Sequence, residues 1–205
     1  FMNSIAGTIG RGVFWLSSGS VIVKAAGLLY LTVLLSNLSV FEYGLSKLAL
    51  SIPLLLSIFS LGGLQNVMVV DLLSHKSQKN FSKMRSLLMS FLSAKAIAGI
   101  IAFIGLYGAS FFLQDFFSAE LLKLVLILNF LFLISPFRAL VTLSFEIERN
   151  YKLRSWLDMA DEVIKLLLVF ALLSVFDYGV LGVIIATVVS AVISTLLFLP
   201  SAIIG

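Results

Sequence analysis

The chain has 205 residues, of which 60% are hydrophobic and only 12% charged, and its mean hydropathy is +1.15. A soluble domain of this length has no use for so much apolar surface, so the composition is that of a polytopic membrane protein. Having no cysteine and a single histidine (His75) excludes disulfides, thiolate metal sites and histidine-rich metal sites, and a net charge of +4 spread this thinly is not a nucleic-acid signal.

Residues 1–12 are Gly-rich and carry Arg11. The first predicted span is Val13–Leu35, long enough to cross about 30 Å of hydrocarbon at about 1.5 Å per helical residue. Lys24 sits at its midpoint, where a lysine costs about 2.5–3.5 kcal/mol. At helical spacing Ser17, Ser20, Lys24 and Gly27 share one face, while Val21, Ile22, Leu28 and Leu29 lie away from it. Lys24 is therefore expected to face the protein interior.

A short polar segment, Ser36–Gly44, carries Glu42 and a Tyr43-Gly44 turn. The second span covers about Leu45–Val70, with Pro53 and Gly62-Gly63 inside it, which permit bends in a membrane helix. Gln65 and Asn66 near its end read either as gate-lining groups or as helix-packing polar residues. Asp71–Arg85 is expected to be an amphipathic connector, with Lys76, Lys79, Lys83 and Arg85.

The third span, about Ser86–Leu113, contains Lys95, which either snorkels to the head groups or faces an interior cavity. The fourth, about Glu120–Phe145, is expected to be interrupted near Ser135-Pro136. Ser135, Arg138, Thr142 and Glu146 align on one face of it and either line a cavity or join two helices. Glu146–Ser155 is a second basic connector, with Arg149, Lys152 and Arg154.

The fifth span, about Trp156–Phe176, carries Asp158, Asp161, Glu162 and Lys165 on one face. Excluding all of them from the bilayer leaves only Leu166–Phe176, too short to cross. Lys165 and the Asp161/Glu162 pair are therefore expected at membrane depth, with an intrahelical ion pair available at i−4 and i−3. That pair is either structural or responsive to protons or substrate. The sixth span is about Val180–Pro200.

These elements make an all-α bundle of six transmembrane helices. Arg11 and the two basic connectors fall on one side, while the loops at 36–44, 114–119 and 177–179 carry no lysine or arginine, with Lys47 and Lys123 just inside their helices. Both termini are thus expected to be cytoplasmic. The aromatic Phe111–Phe117 segment, Trp15 and Trp156 read as interfacial anchors.

Lys24, Lys95, Arg138 and Lys165 together would cost roughly 10–14 kcal/mol if all faced lipid, so they do not all do so. Lysines and arginines gathered in a water-filled cleft would attract phosphate. No Walker loop, G-x-S-x-G elbow or H-E-x-x-H motif occurs, so transport is preferred to an enzyme and no cofactor is expected.

Three segments carry a resemblance: L-S-V-F-E-Y-G (Leu38–Gly44), S-L-G-G-L-Q-N (Ser60–Asn66) and E-R-N-Y-K-L-R (Glu148–Arg154). With the order of helices around them, the chain resembles the oligosaccharide/polysaccharide flippases of the multidrug/oligosaccharidyl-lipid/polysaccharide exporter superfamily. The resemblance implies the N-terminal six-helix lobe of a two-lobe, multi-pass protein of the bacterial inner membrane. The chain's abrupt end, just after a span, fits a fragment that lacks the second lobe.

The implied function is to move undecaprenyl-pyrophosphate-linked oligosaccharide units from the cytoplasmic to the periplasmic leaflet by alternating access, for polysaccharide such as lipopolysaccharide O-antigen. The implied partners are the lipid-linked oligosaccharide, the bilayer, and the second lobe or other polysaccharide-assembly membrane proteins. The family's central cleft is cationic, which Lys24 and Arg138 match in kind. The candidate substrate-binding set is Lys24, Arg138, Lys165, Lys95, Ser20, Gln65 and Asn66. Alternatives are a peptidoglycan-precursor flippase, a multidrug cation antiporter needing acids deep in the lobe, and a non-transporting scaffold. In a scaffold every buried cation should pair with an acid and none should line a cleft.

Overall fold

A computed structural model describes the backbone of residues 2–59 and 64–204 and the side chains of residues 12–56, 65 and 67–202. Its elements are α1 (Met2–Asn37), α2 (Val40–Phe59), α3 (Leu64–Ser77), α4 (Phe81–Leu113), α5 (Ala119–Leu128), α6 (Phe130–Ile147), α7 (Tyr151–Ser174) and α8 (Gly179–Ile204). No strand occurs among the described residues, so the all-helical expectation is borne out. Gly12–Asn37, Phe81–Leu113, Ala119–Ile147 and Gly179–Ala202 are long and apolar enough to cross a bilayer. The bend expected at Gly62-Gly63 lies outside the described residues.

The two basic connectors are shorter than their composition implies. Helix α3 runs on to Ser77 and α4 starts at Phe81, while α6 runs to Ile147 and α7 starts at Tyr151. What remains is the same three-residue turn twice. Lys79 and Arg149 both take φ 55°, the left-handed conformation that ends a helix. The next residue caps the following helix: Asn80 accepts from the Lys83 backbone N–H at 3.2 Å, and Asn150 from that of Leu153 at 3.3 Å. Gln78-Lys79-Asn80-Phe81 and Glu148-Arg149-Asn150-Tyr151 are two versions of one helix–turn–helix signal.

The fourth span is interrupted at Asn129, not at Ser135-Pro136. Helix α6 passes through Pro136 without a break, and the chain tightens where the Phe132 N–H reaches back to the Asn129 carbonyl at 3.0 Å. The fully buried Asn129 amide ties this point to α4 by donating to the Phe103 carbonyl at 2.8 Å. Pro136 acts through what it withholds. It has no N–H for the Phe132 carbonyl, which instead lies against Gly99 of α4, only 2.6 Å from where a Cβ would stand.

Helices α1 and α7 lie parallel, with Gly12 against Tyr151, Gly19 against Ser155 and Asn37 within 3.4 Å of Ser174. The missing side chains let the helices close up: Ser155 Oγ donates to the Trp15 carbonyl at 2.9 Å, and Lys152 lies over the Trp15 ring. Helix α7 packs on α8, α8 on α6, α6 on α4 and α4 on α3, with α2 against α5 and α8. Leu34, Val169 and Val183 fill one part of the core; Leu124, Leu128 and Ile184 fill another.

The α1–α2 turn is a full capping box. Ser39 Oγ accepts from the Glu42 backbone N–H at 3.3 Å, while Glu42 Oε2 accepts from the Ser39 backbone N–H at 2.8 Å and from its hydroxyl at 2.7 Å. These donors hold the Glu42 carboxyl below its ordinary value of 4.5. A depressed carboxyl stabilises the fold above its unfolded value and loses that contribution as pH falls through its folded value. A carboxyl titration followed by NMR should therefore place the Glu42 midpoint below 4.5. Ser39→Ala should move it back up and cost about 1 kcal/mol of stability; an unmoved midpoint would show that the box does not form.

Candidate functional site

A polar cleft opens between α3, α4, α6 and α7, with a volume of about 310 Å³. Its walls include Gln65 from α3, Lys95 from α4, Ser135, Arg138 and Thr142 from α6, and Arg154 from α7. The α6 residues converge because they stand at i, i+3 and i+7 on one helical face. That same face turns Ala139 and Leu143 onto Leu72 and Phe91, which seats α6 against α3 and α4.

Among the described residues, the three ionisable groups lining the cleft are all cations. Arg138 reaches Asp161 of α7 at 2.7 Å, and Asp161 also accepts from Ser194 of α8 at 3.3 Å. Arg154 is held by Glu146 at 3.6 Å and by Asp158. Lys95 differs from both. It is 8% exposed and makes no ion pair among the described residues; its ammonium lies 5.9 Å from the Phe91 ring centroid. A buried ammonium without an acid is a costly arrangement, offset here only in part by the ring face.

The remaining candidates separate. Lys24 is exposed rather than interior, as are Ser17 and Ser20. The reason lies in the α1–α7 seam: among the described residues Gly12, Gly19, Ala26 and Leu34 are the buried residues of α1, and the Lys24 stripe lies well around the helix from them. Lys165 pairs with Glu162 at 2.6 Å and sits over the Tyr30 ring of α1, so it is outside the cleft. The intrahelical pair thus forms with Glu162 alone, because Asp161 is turned to Arg138 instead. Gln65 lines the cleft, and the Asn66 side chain lies outside the described residues.

Two contributors were not singled out from the sequence as parts of the site. Arg154 reads as one more connector cation, although Asp158 one turn on is a usable signal. Ser194 lies in the apolar α8, where Ser190 and Ser194 at i and i+4 mark the face turned inward. Among the described residues no cluster of His, Cys, Asp or Glu could hold a metal ion.

A cleft walled by arginines and one unneutralised lysine, with serine, threonine and glutamine between them, is suited to a small polyanion. In comparisons with known proteins, the family described as polysaccharide biosynthesis protein matches residues 9–202. No curated protein and no solved structure matches the chain.

Proposed function

The chain belongs to the polysaccharide biosynthesis protein family, that of the polysaccharide and O-antigen flippases, and we propose that it forms the N-terminal six-helix lobe of a flippase for lipid-linked oligosaccharide. The cargo is an undecaprenyl-pyrophosphate-linked repeat unit, moved from the cytoplasmic to the periplasmic leaflet of the bacterial inner membrane by alternating access. The work is binding and reorientation, without covalent chemistry.

Six crossings follow if α2 with α3, and α5 with α6, each count as one broken span, and if α7 crosses with its ionic face turned inward. The parallel course of α1 and α7 supports this count, since four crossings lie between their starts. Both termini then share a side with the turns at 78–80 and 148–150, and Lys76, Lys79, Lys83, Arg85, Arg149 and Lys152 make that side cytoplasmic. The second lobe would cover the exposed stripe of Ser17, Ser20 and Lys24 on α1.

The observation that carries the reading is Lys95, buried in the cleft without an acid among the described residues. The pyrophosphate would take the Lys95 ammonium and the guanidinium N–H groups of Arg138 that Asp161 leaves free. A cleft of about 310 Å³ has room for about ten waters, enough for the phosphates while the sugars extend toward the second lobe. A cation antiporter is less well supported, because Asp161 and Glu162 are both engaged by cations and neither lines the cleft. A scaffold is less well supported because Lys95 has no acid partner among the described residues.

Complementation tests this. The full-length parent gene is expressed in cells lacking their own polysaccharide flippase, and surface polysaccharide is scored at matched protein levels. Wild type and Lys95→Arg should rescue. Lys95→Met, which keeps the apolar stem, should lower rescue at least tenfold, the loss of one charge-assisted hydrogen bond. Full rescue by Lys95→Met would remove Lys95 from anion binding. Failure of wild type would sink the oligosaccharide reading and turn the test to peptidoglycan precursors.

A further inference from the structure

On the outer surface, α4 and α5 diverge above the Gly99–Phe132 contact and enclose a groove of about 560 Å³. We infer that this groove holds one phospholipid with an anionic head group.

Two facing stripes form the walls. Helix α4 supplies Phe103, Tyr107 and Phe111, with Gln114 just beyond its end, and α5 supplies Leu122, Lys123 and Leu126. The floor is closed where the Phe103 and Phe130 rings meet edge to face at 5.5 Å. From position 103 to 114 the helix rises about 16 Å, half of the roughly 30 Å hydrocarbon core. The groove is therefore as long as one leaflet is deep, and Gln114 and Ala119, on either side of the turn between α4 and α5, line its end.

Charge selects the occupant. Lys123 is the one cation on the groove, is exposed, and makes no ion pair among the described residues although Asp115 and Glu120 are near in sequence. From about one turn inside the helix end its ammonium reaches head-group depth. A lipid phosphate would neutralise it while an acyl chain filled the apolar trough below. Tyr107 and Phe111, 51% and 60% exposed, flank the trough on the side facing the bilayer. A second copy of the chain would cover the trough as well, with Asp115 or Glu120 to meet Lys123, and it is the occupant that the test separates from a lipid. The inference is independent of the cleft and of the cargo proposed above.

The test is lipid retention by the full chain, purified in mild detergent and exposed to phosphatidylglycerol or phosphatidylcholine with identical acyl chains. Native mass spectrometry counts the bound lipid. Phosphatidylglycerol should be retained about fivefold over phosphatidylcholine, the effect of one lysine at the membrane surface. Lys123→Ala should abolish the preference and Lys123→Arg keep it, and Leu126→Trp should fill the trough and lower retention of both lipids. No preference in wild type, or an undiminished preference in Lys123→Ala, would overturn the inference. Two-chain complexes that disappear with Leu126→Trp would overturn it in favour of a second copy. Lys123 is exposed, so its variants keep the test decisive even if Leu126→Trp misfolds.

Discussion

Gly99→Ala should destabilise the bundle by about 1–3 kcal/mol, the cost of overpacking a close-packed contact. The added methyl would stand 2.6 Å from the Phe132 carbonyl oxygen and 3.4 Å from its carbon. Both are backbone atoms, so no side-chain rotation relieves the clash; α4 and α6 must separate. The contact exists because Pro136 leaves the Phe132 carbonyl without its helical donor and glycine lets that carbonyl approach the facing helix. Gly105 on the same helix has nothing within 4 Å of its would-be Cβ. Gly105→Ala should therefore be neutral or slightly stabilising, through helix propensity and reduced unfolded-chain entropy. Thermal unfolding of the purified chain in detergent compares the two. Equal effects would mean that the helices do not meet at Gly99.

The second large effect is expected at Arg138. Removing the guanidinium with Arg138→Ala leaves the Asp161 carboxylate, its side chain 18% exposed, with only the Ser194 hydroxyl at 3.3 Å. Stripping one partner from a fully buried pair costs about 3–5 kcal/mol, because the remaining charge is left uncompensated. Arg138 is 33% exposed on its cleft side, so water screens part of this and about 2 kcal/mol is the expected loss. Asp161→Asn should recover part of it when combined with Arg138→Ala, and a double-mutant cycle would read a coupling of about 1 kcal/mol or more. Strictly additive effects would show that the pair is not formed. Arg154 makes the informative contrast. Its partners Glu146 and Asp158 are 27% and 40% exposed, so Arg154→Ala should cost about 1 kcal/mol or less.

The membrane-helix character of the chain was legible from composition and periodicity. Long apolar runs carry their own instruction, because in lipid each backbone polar group must be satisfied within the segment. Short-range signals were legible in principle too. Ser39 and Glu42 form a capping box from four consecutive residues, and the two Asn-capped turns repeat one local pattern at 78–81 and 148–151. Part of the site could also be read: Ser135, Arg138 and Thr142 share a face by spacing alone, and the structure keeps them together on the cleft.

What sequence spacing left open was which charge meets which. Asp161 and Glu162 are equally placed to reach Lys165 along α7, yet Asp161 turns to Arg138, 23 positions earlier in the chain, because α6 and α7 both pack against α8 and bring those two side chains together. Lys24 was expected inside because it is costly outside, but the face of α1 that packs is chosen by Gly12 and Gly19, which admit Tyr151 and Ser155 of α7. The span break at Asn129 likewise depends on the Phe103 carbonyl of a different helix. By itself the sequence determined the helical membrane class and the local caps, since those depend on contacts a few residues apart. Tertiary structure decided the partners of Asp161, the isolation of Lys95 and the exposure of Lys24, since these depend on how closely two helices approach, and that is set by small residues and freed carbonyls far away along the chain.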